Sequence, residues 1–426
     1  MRAFQEQMRT ISGSRKQFSR HIGSSLFLVA FWAAVAPLAI QAQAGALGYE
    51  PNIPIIRLTA EKAIASDVKT PCTVQFVCPT GAESCPETNL AGVVRFHGAS
   101  SQAYPKKSFG LTLNAPAPLL GMASSVHWVL NAAFIDRSLM RHKLSYDLFL
   151  AMGSAESPRY AAASRFVEVY LNEKYQGAYL LMQRVDRTLL QLRPFSSNET
   201  RHACIYKAVD HAANFSQPGH GGYEQREPDP LIGDFWRPLD TFDRFVSTAS
   251  ETDFFDPLKG ISSRLDIENA IDFHLLVLLT SNGDGITKNF ILARDVPADS
   301  TTESRFFFAP WDYDATFGRN WNATIVPPNS WLSNHLFDRL FANADYRKKY
   351  TARWKQLRKN QFSVRALTGS IDSNVRTLGE AIHRDAAKWK AAAGYYPDKL
   401  TFEEDVAQMK TWIEERLQWL DQKFAP

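Results

Sequence analysis

Two segments of the 426-residue chain set polar side chains beside apolar runs. The first is Arg95-Phe-His-Gly-Ala-Ser-Ser-Gln-Ala-Tyr-Pro-Lys-Lys-Ser-Phe109, a strand pattern that enters a small-residue loop and leaves through two lysines into another strand. Small residues such as Gly98, Ala99, Ser100 and Ser101 let backbone N–H groups approach an anion, hydroxyls add donors, and a lysine supplies a point charge for phosphate. Counting back from the alternation of Phe109, Leu111 and Leu113 predicts Lys107 on the apolar, sheet-covering face and Lys106 on the face of Ser108. The second segment is Ser281-Asn-Gly-Asp284-Gly-Ile-Thr-Lys-Asn289, followed by Ala309-Pro-Trp-Asp312-Tyr-Asp314. Here an acid follows an apolar helix, an amide comes five residues on, and two acids close a two-stranded ribbon. Asn289, Asp312 and Asp314 offer the hard oxygen donors that Mg²⁺ prefers. An acid, an amide and a later acid in that order are the parts that phosphoryl transfer uses. Each acid alone is as readily a turn former or a helix cap. Their order is what points to chemistry.

The elements that must hold these groups are legible in outline. Ile53 to Leu58, Thr73 to Val77, Val93 to Phe96 and Ser108 to Leu113 read as strands. Asp136 to Met152 reads as an amphipathic helix, with Leu139, Met140, Leu144, Leu148 and Met152 at three- and four-residue spacing and Gly153 past its end. Arg165 to Leu171 and Tyr175 to Met182, joined by a turn at Asn172-Glu-Lys, make a hairpin. Beyond 190 come loops, then an apolar helix from Ile267 to Thr280 capped by Asp266. Two strands, 289–293 and 305–308, follow, and amphipathic helices run from Asn334 to Phe424. The outline is α+β and two-lobed, with a β-rich part joined to a helical part near 183–195.

Composition is that of an ordinary globular chain, 45% hydrophobic and 22% charged, which excludes disordered or collagenous classes. The net charge of +4 arises in residues 1–44, where five Lys/Arg face one acid; the remainder is neutral. The basic footprint that nucleic-acid binding favours is therefore absent from the body of the chain. Leu26 to Ile40 is an uncharged stretch of 15 residues behind Arg15, Lys16 and Arg20 and ahead of Ala42-Gln-Ala44. That is the layout of a secretory signal peptide over 1–44. As a helix it rises about 22 Å, short of a hydrocarbon core of about 30 Å, although an uncleaved anchor is the rival reading. The expectation is an exported protein, periplasmic or extracellular, with no membrane span after leader removal. Cys72, Cys78, Cys85 and Cys204 permit two disulfides, one local and one reaching back from Cys204. A zinc site is the alternative, but the spacing lacks a short C-x2–4-C knuckle.

The chain resembles the CotH family of spore-coat-type atypical protein kinases. The matching pieces are R-x-H-G-A-S-S-x-x-x-P-K-K-S-F at 95–109, N-A-A-F-I-D-R-S-L-M-R-H-K-L at 131–144 and Y-L-N-E-K-Y-Q-G-A-Y-L-L-M-Q at 170–183. N-G-D-G-I-T-K-N-F at 282–290 and P-W-D-Y-D-A-T-F-G at 310–318 complete the set. The resemblance implies a bilobal kinase-like fold, ATP with Mg²⁺ or Mn²⁺, and transfer of the γ-phosphate to protein Ser/Thr. It implies a nucleotide-binding lobe over 45–190 and a catalytic lobe over 191–426. Lys107 (or Lys106) becomes the phosphate-binding lysine, and Gly98 to Ser101 the loop over the phosphates. Asp284 becomes the catalytic acid, and Asn289 and Asp312, with Asp314, the metal ligands. Asp136 becomes the acidic partner of the lysine, and Met182-Gln183 the hinge that bonds adenine. The chain departs from the family pattern at His97, where arginine is usual, and at Gln183, where an acid is usual. A second reading keeps the fold without turnover, as an envelope or extracellular binding and assembly factor. Its sequence hint is the loop aromatics Trp321, Trp331, Tyr395 and Tyr396.

Overall fold

Apolar alternation in the first half of the chain builds strands that curl until their edges meet. A computed structural model describes residues 48–425 other than 83, 87, 200 and 297–303, so the expected leader over 1–44 lies outside the described residues. Within the unit that begins at Pro51, seven strands form a closed barrel: β1 (Ile55–Ala60), β2 (Thr70–Val77), β3 (Leu90–His97), β4 (Ser108–Ala117), β5 (Ser125–Asn131), β6 (Ser164–Leu171) and β7 (Lys174–Gln183). Their order is β1-β2-β3-β4-β5-β7-β6. All neighbours are antiparallel except β1 and β6, whose parallel pairing closes the ring. Leu58, Val74, Val94, Leu111, Trp128, Val169, Tyr179 and Leu181 fill its interior. Alternate residues of β5 and β7, among them Val129, Leu180 and Met182, face outward into a second, larger apolar cluster. Being buried on both faces, β7 reads as a continuous apolar run. Asn172 and Glu173 take φ values of 47° and 63°, the left-handed pair that a two-residue hairpin turn requires.

The first helix is shorter than its periodicity implies. The helix α1 spans Arg141–Ala151, not Asp136 to Met152. Asp136 Oδ1 accepts from the Ser138 N–H and hydroxyl, and Oδ2 accepts from the Arg141 N–H. These bonds hold 136–140 as turns, because a short acid side chain competes with the helix for backbone donors. Beyond the barrel, β8 (Cys204–Ala208) and β9 (Tyr223–Glu227) join β10 (Phe290–Arg294) and β11 (Phe307–Pro310) in a four-stranded sheet, order β11-β10-β8-β9. Helices α2 (Arg237–Thr248), α3 (Glu251–Phe254) and α4 (Ile267–Thr280) precede the β10–β11 ribbon. After it come α5 (His335–Ala342), α6 (Ala344–Lys359), α7 (Val364–Leu378), α8 (Glu380–Trp389) and α9 (Phe402–Lys423). The cap of α4 is as expected, with the Asp266 carboxylate accepting from Asn269 N–H. The result is a mixed α+β structure, β-rich first and helical later.

The cysteine expectation needs correction. Cys78 and Cys85 form the local disulfide, but Cys72 and Cys204 are free and buried. Cys72 points into the barrel interior whereas Cys204 belongs to the other apolar cluster, so the second bridge has no route. Among the described residues no helix is long and apolar enough to cross a membrane.

Candidate active site

The register of one ribbon assembles most of the chemistry. Phe290 pairs with Pro310, and the Trp311 N–H donates to Asn289 O at 3.2 Å, so Asn289 and Asp312 emerge at the same end of β10–β11. The strand stops at Pro310, and Asp312 then turns with φ 60°. One ligand atom each from Asp312, Asp314 and His142 lie within 4.8 Å of one another. His142 escaped the sequence reading because its only signal, a polar residue within an apolar helix pattern, is also that of an ordinary buried histidine.

The first turns of α1 grip this acidic loop by its backbone. Tyr146 OH accepts from Asp312 N–H at 3.0 Å, His142 Nδ1 accepts from Tyr313 N–H at 3.0 Å, and Arg141 Nε donates to Thr316 O at 2.9 Å. Arg141 is itself fully buried between Asp136 at 2.5 Å and Asp405 at 2.6 Å. Burial alone would lower its pKa, but the two carboxylates outweigh that and drive it upward. Asp136 is therefore the partner of Arg141 and not of Lys106 or Lys107.

Asp284 lies on the loop after α4, about one-third exposed, with Lys288 Nζ at 3.1 Å and His211 Nε2 at 3.7 Å. Asn282, which the sequence did not mark, ties this loop to the acidic one. Its Oδ1 accepts from Gly285 N–H at 2.9 Å and its Nδ2 donates to Asp312 O at 3.3 Å. A Cβ on Gly285 would sit 2.6 Å from that amide, so the turn needs glycine.

The small-residue loop is tight. Gly98 has φ 101°, a Cβ there would meet Ser101 Oγ at 2.0 Å, and Ser100–Ala103 form a 3-10 turn. The lysine expectation is corrected: β4 begins only at Ser108, so strand alternation does not extend back through the lysines. Lys106 is buried, donating to Ala178 O at 2.5 Å and paired with Asp385 of α8 at 2.8 Å. Lys107 instead donates to Gln102 O within its own loop. The hinge expectation also changes. Met182 is laddered to both Val129 and Ser164, and Gln183 N–H donates to Ala163 O at 3.1 Å. Closing the barrel places β7 between two strands, which engages the backbone that adenine would need.

Four cations, Arg95, Arg184, Lys207 and Arg226, surround His97, and Lys207 among them also feels Asp312. Lys207 Nζ lies 4.8 Å from the centre of the Trp311 ring; burial and Arg226 lower its pKa, and Asp312 opposes them. His97 falls to about 4 through burial, then Arg184, Lys207, Arg95 and Arg226, so it is neutral at physiological pH. These cations are scattered through the sequence: Arg95 comes from β3 and Arg184 from just past β7 in the barrel, Lys207 and Arg226 from β8 and β9 of the four-stranded sheet. Burial, then Asp312 and Asp136, push the Asp314 carboxyl well above the usual range. Crowded carboxylates, with Asn289 leaving the same end of the ribbon, form a donor set that fits a hard divalent cation.

Residues 94–420, most of the chain and all of the loops above, match the family model described as CotH kinase protein. The "Inner spore coat protein H" of Bacillus subtilis (strain 168) is 28% identical over 295 residues, covering 65% of this chain and 74% of that protein.

Proposed function

The chain belongs to the CotH kinase protein family, and on that premise we propose that it is an exported protein kinase that moves the γ-phosphoryl group of ATP to a Ser or Thr hydroxyl. The observation that carries the reading is the convergence of Asp312 and Asp314 at the end of the β10–β11 ribbon that Asn289 also leaves. Asp312, Asp314 and Asn289 would hold Mg²⁺ or Mn²⁺, which when bound neutralises charge on the phosphates. Asp284 positions the acceptor hydroxyl and takes its proton as the oxygen attacks phosphorus and the bond to the ADP oxygen breaks. The 98–101 loop and Lys107 face the phosphates, with Lys207 supplying charge that Lys106, committed to Asp385, does not. In this reading the barrel is the nucleotide lobe of a bilobal molecule and the helical part its catalytic lobe. The disulfide and the family's spore-coat relative favour an exported location.

The non-catalytic binding reading keeps one observation in its favour: Trp321, Trp331 and Tyr395 are exposed, although Tyr396 is buried. Calorimetry with Mg²⁺–ATP and Mn²⁺–ATP, followed by transfer from γ-labelled ATP, separates the two. Asp312→Ala should lose metal-dependent nucleotide binding. Asp284→Ala should still bind, yet transfer about 10²–10⁴-fold more slowly. A wild type that neither binds nor transfers with either metal would leave the binding reading standing alone.

A further inference from the structure

His142 meets the acidic loop with one ring nitrogen satisfied and the other not. Its Nδ1 accepts the Tyr313 N–H at 3.0 Å, which requires a lone pair on Nδ1. A ring protonated on both nitrogens has no lone pair to offer, so the ring is neutral and its single proton sits on Nε2. That nitrogen is buried, has no hydrogen-bond partner, and lies 3.8 Å from Asp312 Oδ1, beyond bonding distance as the loop stands. The side chain is 3% exposed, so solvent does not supply the missing acceptor. Ligation to a metal needs a lone pair, and the only lone pair of this ring is committed to the backbone. Proximity to both carboxylates therefore does not make His142 a ligand.

We propose that His142 is a positioning residue, a tautomer-locked donor whose Nε2–H orients the Asp312 carboxylate for its metal. The proposal rests on the reading of Asp312 as a metal ligand given above. It makes α1 responsible for both halves of the site, fixing the backbone of the loop through Tyr146 and the carboxylate through His142. Donors of this kind behind a ligating group typically change metal affinity by about 10–100-fold.

The test has two independent arms. Long-range ¹⁵N correlation spectra of the metal-free protein, labelled at histidine, should show His142 with a bare Nδ1 and a protonated Nε2; the opposite tautomer overturns the proposal whatever the metal does. Mn²⁺ is then titrated in the presence of a non-hydrolysable ATP analogue. His142→Leu should weaken Mn²⁺ binding about 10–100-fold, whereas His142→Gln, which keeps an N–H near the same place, should recover most of it. Pulsed electron resonance of the Mn²⁺-loaded, ¹⁵N-histidine protein should show no directly bonded ¹⁵N. A bonded ¹⁵N, or a His142→Leu variant that binds like wild type, overturns the positioning role alone. A wild type that binds no Mn²⁺ removes the metal reading of Asp312 and the proposal with it.

Discussion

Lys106 and Lys107 are adjacent in the chain and opposite in circumstance. The first is sealed between Asp385, Ala178 O and the Tyr179 ring, and the second lies along its own loop. Removing one member of a buried pair strands the other, so Lys106→Met should cost about 3–5 kcal/mol in urea unfolding. Lys107→Met should cost about 1 kcal/mol or less and weaken nucleotide binding instead. Equal stability losses would show that the pair with Asp385 does not hold in solution. A second single-residue effect concerns Asp243 on α2. Burial, then Asp240, lifts its pKa to about 7, and its Oδ1 lacks a partner. A carboxyl raised in the folded state stabilises when protonated, so its contribution is present at low pH and lost as pH rises through about 7. Asp243→Asn should therefore be more stable than wild type at pH 8 and close to it near pH 4. A difference that stays constant between those pH values would exclude Asp243 as the source.

At the scale of elements, α1 is the part that makes the site. Residues 142 and 146 lie one turn apart on one helix face and take successive N–H groups of the acidic loop. Tyr146→Phe removes the acceptor for Asp312 N–H without changing packing volume. The expected loss is about 1 kcal/mol of stability, with a larger relative fall in metal-dependent nucleotide binding than in melting temperature. If binding is untouched, the loop does not depend on α1. The same helix shows where sequence reading stops. Its apolar spacing was legible, but its start was not, because Asp136 captures the donors that would begin a longer helix. The strands β1 to β4, the β6–β7 hairpin and the cap of α4 were legible because their signals are local. β5 was not, since Trp128, Val129 and Leu130 are buried in succession and show no alternation. β8 and β9 were hidden too, being five-residue strands inside a loop-rich stretch. The partner of Lys106 was equally out of reach. It lies on α8, which also sets Arg384 against the buried Glu168 and the Trp389 indole on Gln176 O. Gly177, with φ 113°, gives the room: a Cβ there would lie 2.2 Å from the Asp385 carboxylate.

For the whole molecule, the cysteines report both packing and compartment. An even count suggested two bridges, but count carries no distance, and the fold divides the four residues into one loop pair and two separated cores. Cys72 sits inside the barrel, where burial lifts its thiol to about 11, and burial also raises Cys204. Neither therefore presents an appreciable thiolate near neutral pH, and the folded protein should react slowly with a thiol reagent. Unfolding without reductant should release two reactive thiols per chain, and reduction four. A cytosolic history, where thiols are kept reduced, would give four before any reductant is added. A count of zero would mean that Cys72 and Cys204 are bridged after all. That pairing would have to cross from the barrel interior to the other core, dismantling the wall of β1 to β7 that separates them. The titration thus bears at once on barrel closure, through Cys72 and Cys204, and on export, through Cys78 and Cys85.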